Sequence, residues 1–293
     1  TVRFERKGDM LGYVYLTPVG SDGAAQEFSA ADLAAQIDKV ELLIGGQVID
    51  TQDSTFSMDL APITMSQNLT KSTTGFAGKS GKFYPLRFSF CENAQSALPL
   101  VALQYHDVEV RISWGTINAA SSRWECFSQF IHLDTDERTA LSSTPQNMII
   151  TQTQKAIASS SKIQELSFNH PMKYLVSKLA IGGLATAGNK IKLQINGTDV
   201  TDFKDADPHF TAIPTYYHTQ SSVSAANGHN IATLLVPFCI DTSKLQPTGS
   251  LNFSRLDSAR IVSDTSASGS DIYGVNYNIL RIENGMGGLM YSN

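Results

Sequence analysis

His132, Asp134, Asp136 and Glu137 sit in the run Phe130-Ile-His-Leu-Asp-Thr-Asp-Glu-Arg-Thr139, an imidazole and three carboxylates within six residues. Such a set can ligate a metal ion or carry protons. The plainer expectation is a strand that ends in a solvated, charged turn. Asp205, Asp207 and His209, in Lys204-Asp-Ala-Asp-Pro-His209, alternate as the first ligands of a calcium loop do, but the turn glycine and the distal glutamate are missing. His106, in Leu103-Gln-Tyr-His-Asp107, and His170, in Asn169-His-Pro171, read as hydrogen-bonded structural residues. There is no Gly-x-Ser-x-Gly elbow, no His-Glu-x-x-His, no Cys-x-x-Cys and no phosphate-binding Gly-Lys-Ser loop. Gly285-Met-Gly-Gly288 is glycine-rich but opens no helix. The expectation is a protein with no catalytic residue, no cofactor and no metal, and therefore not an enzyme.

The remaining reactive groups have structural readings as well. Cys91, Cys126 and Cys239 are an odd number, lie far apart and each falls in or beside an apolar run, so they read as buried free thiols in a reducing compartment. No basic stretch followed by an apolar signal segment occurs in residues 1 to 30, and no apolar run approaches the length needed to span a bilayer. Asn68, Asn196 and Asn252 head Asn-x-Ser/Thr sequons, and Asn196 is better explained as a turn residue than as a glycan acceptor. The net charge of -5 has no long run of either sign, which argues against direct nucleic-acid binding. The charged fraction of 17% lies below the roughly 25% usual for soluble proteins, which suits a molecule whose sides face neighbours.

The elements that carry these residues are strands. Val108, Val110, Ile112 and Trp114 alternate with polar residues, and so do Ile191, Leu193 and Ile195. This alternation makes Trp114 a core residue, and with Trp124 the only other tryptophan, no aromatic platform for a sugar is expected. Tyr84, Leu86, Phe88 and Phe90 form another inward face, with Pro85 pointing to a sheet edge or a strand start. Gly45-Gly46, Asn196-Gly197, Asn227-Gly228, Pro247-Thr248-Gly249 and Asn284-Gly285 supply tight turns between short strands. The spacing predicts one helix, from Ser29 to about Ile37, with Ser29 and Asp32 as a capping-box-like start.

An internal repeat organises the chain. Lys39-Val-Glu-Leu-Leu-Ile-Gly-Gly46 aligns with Lys190-Ile-Lys-Leu-Gln-Ile-Asn-Gly197 at an offset of 151 residues. Leu86, Phe90, Cys91, Pro99 and Leu103 recur as Leu234, Phe238, Cys239, Pro247 and Leu251 at an offset of 148. Asp107 then matches Asp257, and Phe127 matches Tyr277, at an offset of 150. These matches predict two copies of one all-β domain over residues 1–150 and 163–293, joined by a polar linker at 151–162.

Six blocks carry a family resemblance. They are Val40-Glu-Leu-Leu-Ile-Gly-Gly-Gln-Val-Ile-Asp50, Leu98-Pro-Leu-Val-Ala-Leu-Gln-Tyr-His-Asp-Val-Glu-Val110, Phe130 to Thr139, Phe168-Asn-His-Pro-Met-Lys-Tyr-Leu175, Gly249-Ser-Leu-Asn-Phe-Ser-Arg-Leu-Asp257, and Tyr273 to Ile282 with Gly285 to Asn293. In this order they resemble the major capsid proteins of nucleocytoplasmic large DNA viruses, with the algal-virus members nearest. The resemblance covers most of the chain and is weakest in residues 1–38, near 51–80 and in 198–232. It implies an all-β fold of two tandem eight-stranded antiparallel jelly rolls. It also implies a homotrimer that forms a pseudo-hexagonal capsomer in an icosahedral virion capsid assembled in host cytoplasm. The implied partners are further copies of the chain, neighbouring capsomers and minor capsid proteins, with indirect contact to an internal membrane and none to nucleic acid. The chain begins at Thr1 without the N-terminal segment the family carries, and its second half has shorter connections, which implies a trimmed start and a plainer outer surface. The alternatives are a minor or vertex double jelly-roll capsid protein and, from another class, a carbohydrate-binding sandwich.

Overall fold

A computed structural model describes residues 1–65, 81–178, 188–220, 233–265 and 269–291. The Asn68 sequon and the Asn227-Gly228 turn lie outside the described residues. In chain order the first strands are β1 (Val2–Arg3), β2 (Met10–Val19), β3 (Ile37–Ile44), β4 (Gln47–Asp53), β5 (Tyr84–Pro85), β6 (Leu98–Pro99), β7 (Val108–Trp114), β8 (Arg123–Ile131) and β9 (Gln146–Ala156). There follow β10 (Ile163–Glu165), β11 (Pro171–Lys178), β12 (Lys190–Ile195), β13 (Thr198–Asp199), β14 (Lys204–Asp205), β15 (Thr233–Pro237), β16 (Leu251–Asn252), β17 (Ala259–Ser263), β18 (Ile272–Glu283) and β19 (Met286–Leu289). Short helices connect them: α1 (Ala30–Gln36), α2 (Ala61–Thr64), α3 (Ser89–Glu92), α4 (Thr135–Ser143), α5 (Ala206–His209) and α6 (Ala212–His218).

The chain divides into two compact units, one of Thr1–Met58, Ser72–Gln152 and Asn278–Asn293, the other of Asp59–Lys71 and Thr153–Tyr277. In the first unit one sheet runs β1-β7-β3-β4, and a second is built on β2, which pairs β5, β6 and β8. In the second unit one sheet runs β10-β17-β12-β13, and another is built on β11, which pairs β15, β16 and β18. Along these paths the strand orders correspond, and so does the register of β3 on β7 and of β12 on β17. Val40, Leu42 and Ile44 oppose Ile112, Val110 and Val108, and Ile191, Leu193 and Ile195 oppose Ser263, Ile261 and Ala259.

The sequence pattern explains why these pairings hold. Period-two alternation sends one face of each strand inward, so Leu11, Val14 and Leu16 of β2 share one buried cluster with Val40, Leu42 and Ile44 of β3 and Val108 and Val110 of β7. In the second unit Met172, Leu175, Ile191, Leu193, Leu234 and Ile261 form the corresponding core. Burial of each such side chain contributes roughly 1.5–3 kcal/mol. The hairpins close on Gly45-Gly46, Asn196-Gly197 and Asn284-Gly285, all with positive φ at both central residues, the backbone twist that suits two-residue connections. Ser29 caps α1 by accepting the amide of Asp32 at 3.1 Å.

Several expectations differ from what the structure shows. Tyr84, Leu86, Phe88 and Phe90 are all buried, but the strand ends at Pro85 and Ser89–Glu92 is helical. Pro85 lacks an amide donor for the ladder, and the aromatic residues reach the core from an irregular segment instead. As its proline requires, β5 is an edge strand on β2. Residues 151–156, expected in a linker, continue β9. Their polar composition hid the strand, because its inward positions include a glutamine. The Gln152 amide is buried, donates to the Ile49 carbonyl and accepts from Asn278 Nδ2 at 2.8 Å. The C-terminal residues Asn278–Asn293 also group with the first unit, where Leu280 and Ile282 join its core.

Candidate functional site

The structure disperses the candidate chemistry of the sequence. Asp134 is the N-cap of α4, its carboxylate accepting the Thr135 amide at 2.8 Å. Asp136 and Glu137 follow in the exposed first turn, where carboxylates complement the unpaired amides and the helix dipole. The strand β8 does end at Ile131, but the charged residues after it open a helix rather than a turn, and Asp134 followed by two acids in the first turn was its signal in the sequence. His132 is exposed beside it. The neighbour that does converge on another group is Arg138, whose Nε and Nη2 reach Asp9 Oδ1 at 2.8 Å and Oδ2 at 3.0 Å. The Leu133 amide also donates to Asp9 Oδ2 at 2.8 Å. That amide and the Arg138 guanidinium hold the Asp9 carboxyl below the ordinary carboxylate range. Nothing in the sequence spacing singled out Asp9, because its partners lie more than a hundred residues away.

Asp205, Asp207 and His209 are exposed around the buried Ala206, and Asp207 accepts the Thr211 hydroxyl. Among the described residues no group of three histidines, cysteines or acids is arranged to hold a metal ion. His106 Nδ1 lies 2.9 Å from the Gly287 carbonyl and 3.2 Å from the Gly287 amide, a structural contact as expected. His170 adopts φ 70°, its amide donating to Ser254 Oγ at 2.8 Å and its carbonyl accepting the Phe253 amide at 3.0 Å. Asn196 serves as a turn residue, with φ 49° and Oδ1 accepting the amides of Asp257 at 2.9 Å and Ser258 at 3.1 Å. Asn252 Oδ1 likewise accepts the Ser254 amide at 3.0 Å.

The three thiols are free; Cys239 is buried, whereas Cys91 and Cys126 are half-buried as whole residues. Burial pushes all three thiols above their ordinary value, Cys126 to about 11. Lys173 is buried, its Nζ donating to the Lys244 carbonyl at 3.0 Å and lying 5.6 Å above the Tyr277 ring. Burial lowers the pKa of this lysine. Two ionic contacts brace the first unit: the buried pair Arg87 with Glu92 at 3.3 Å, and the buried Glu41 with the exposed Arg111, whose Nε lies 2.5 Å away. The Arg111 guanidinium holds Glu41 below the ordinary carboxylate range.

Trp114, expected in the core, is 45% exposed. Burial fades along β7 from Ile112 to its last residue, and at that end the Trp114 ring packs 5.6 Å from Trp124. The sequence reading also missed an aromatic surface on β2, β8 and the residue before β5. The Tyr15 ring stacks on Phe127 at 5.4 Å, meets Phe83 edge-on at 6.1 Å and lies 6.3 Å from Tyr13. These residues occupy the outward positions of a sheet whose inward positions are already apolar. Only the pairing of Tyr15 with Phe127 brings the rings together.

Comparison with known proteins gives the wider context. Residues 1–148 match the family described as the major capsid protein N-terminus, and residues 184–288 match the large eukaryotic DNA virus major capsid protein. The major capsid protein of Pyramimonas orientalis virus is 30% identical, with 100% of this chain and 86% of that protein covered. That of Paramecium bursaria Chlorella virus 1 is 26% identical, with 100% and 87% covered. Among solved structures, PBCV-1 VP54 superimposes with a TM-score of 0.76 at 23% identity, covering 99% of this chain and 92% of that one. A quasi-atomic model of the PBCV-1 virus capsid matches with a TM-score of 0.72 at 24% identity and the same coverage. With the repeated strand order, these likenesses define the fold as the all-β double jelly roll of a structural capsid protein and not of an enzyme. The chain belongs to the major capsid proteins of large eukaryotic DNA viruses.

Proposed function

We propose that three copies of this chain form a homotrimeric capsomer with a pseudo-hexagonal outline, and that such capsomers tile an icosahedral shell assembled in host cytoplasm. The observation that carries this reading is the duplication: each chain brings two sandwiches with one strand order, so a threefold ring presents six similar units. Closed cyclic symmetry ends growth at three subunits, and a six-sided outline packs a flat facet. The sequence duplication supports an N-terminal repeat over 1–150 and a C-terminal repeat over 163–293. Sandwich folding also limits the exposed sheet edges that would otherwise recruit strands at random. The net charge of -5 without basic runs supports protein neighbours, other capsomers and minor capsid proteins, over the genome. Contact with an internal membrane is then indirect; among the described residues no helix is long and apolar enough to cross one.

Size-exclusion chromatography with light scattering tests the subunit count. The reading predicts a mass near three times 31.8 kDa, and a single-chain mass over a wide concentration range contradicts it.

A further inference from the structure

An antiparallel sheet with one face on the core normally turns polar residues outward. The sheet of β2, β5 and β8 follows this rule at Thr17, Arg123, Glu125 and Gln129, but where Tyr15 pairs with Phe127 it carries aromatic residues outward instead. Tyr13, Phe83 and Phe127 are 51%, 36% and 43% exposed around the half-buried Tyr15. Clustered exposed apolar residues of this kind mark an interaction surface. The chemistry of the patch selects its occupant. A sugar stacks on an open ring face, but here Tyr15 and Phe127 turn their faces to each other, with planes 20° apart, and Phe83 meets Tyr15 edge-on. The stacked pair leaves no open platform between its rings, and the exposed apolar parts of the cluster suit packing against another protein surface.

Charge and area narrow the choice further. Each copy carries a net charge of -5, so two copies repel except where they meet through neutral surface. Of the charges flanking the patch, Arg123 and Glu125 pair with each other at 2.8 Å, and Lys82, exposed beside Phe83, carries the sign that attracts an acidic copy. At roughly 200 Å² per aromatic side chain, the three exposed rings leave about 260 Å² of apolar surface. That is about a third of the ~800 Å² each partner contributes to a standard interface. It is the size of the apolar centre of one such contact, to be completed by a polar rim.

We infer that the Tyr13, Tyr15, Phe83 and Phe127 face is the apolar centre of the contact with a second copy of this chain. This inference rests on the self-assembly reading above and names the surface that carries it.

The double variant Tyr13→Glu/Phe127→Glu is compared with the wild type by light scattering and thermal unfolding. The wild type is expected as an oligomer and the variant as a folded single chain of 31.8 kDa. A folded variant that keeps the wild-type mass overturns the assigned surface and leaves self-assembly standing. A wild type that is itself monomeric overturns the self-assembly reading and the inference with it. Hydroxyl-radical oxidation of the wild-type oligomer needs no variant and covers the case in which the carboxylates unfold the sheet. Tyr13 is expected to be oxidised several-fold more slowly than Tyr216. Rates that simply follow their single-chain exposures of 51% and 79% overturn the inference.

Discussion

Replacing Ile282 by alanine, eleven residues from the end of the chain, is expected to destabilise the unit that begins at Thr1. Ile282 is 1% exposed and belongs to the same core as Leu11, Val40 and Val110. It is held there by the pairing of β18 with β19, in which it opposes Gly287. Truncating a buried isoleucine to alanine costs about 2–5 kcal/mol, the lost burial plus the cavity left behind. With a urea m-value of roughly 2 kcal/mol/M, a loss of about 3 kcal/mol lowers the midpoint by about 1.5 M. The chain supplies its own reporter, because its two tryptophans, Trp114 and Trp124, both lie in the first unit. Tryptophan fluorescence during urea unfolding should therefore show the shift for Ile282→Ala. A tryptophan-detected midpoint that stays at the wild-type value would refute the assignment of the C-terminal residues to the first core.

Three further outcomes follow from particular contacts. Glu92→Gln leaves the buried Arg87 guanidinium without the carboxylate 3.3 Å away and should cost about 3 kcal/mol, as loss of one member of a buried pair does; an unchanged urea midpoint would contradict this. Asp9 has a folded pKa below its ordinary value, so its contribution is present above the unfolded carboxylate pKa of about 3.9 and fades as pH falls through the folded value. Asp9→Asn should accordingly flatten the decline of the thermal midpoint below about pH 4, whereas a decline as steep as the wild type's would show that the contact adds no acid sensitivity. Burial raises the Cys126 thiol to about 11, leaving it protonated near neutrality, so iodoacetamide should label it far more slowly in the native protein than in urea. Equal labelling rates, read by mass spectrometry, would count against that environment.

Much of the architecture was legible because it is periodic or local. The alternation in 108–112 and 190–195, the Gly45-Gly46, Asn196-Gly197 and Asn284-Gly285 turns and the Ser29 cap all depend on neighbouring residues, and all appear in the structure. The repeat was legible for a different reason: equivalent strands in two sandwiches need the same inward residues and the same tight turn. The features that escaped depend on distant partners. Trp114 lies at the end of β7, where burial fades and Trp124 is its ring partner, and Gln152 fits an inward strand position only because Ile49 and Asn278 satisfy its amide. Ser89–Glu92 became helical where Pro85 ended the ladder. Single candidate residues were legible in their structural use: Asn196 turns a hairpin, and His106 hydrogen-bonds the Gly287 backbone. The aromatic face was not, because its rings come from sequence positions 13, 15, 83 and 127 and meet only once the strands pair.

The central claim, that a duplicated sandwich makes a six-lobed unit from three chains, is tested most directly by electron-microscope class averages of the purified oligomer viewed down its symmetry axis. The account predicts a threefold particle with a hexagonal outline and six similar lobes. A twofold particle, or one with three lobes and no further division, would contradict it.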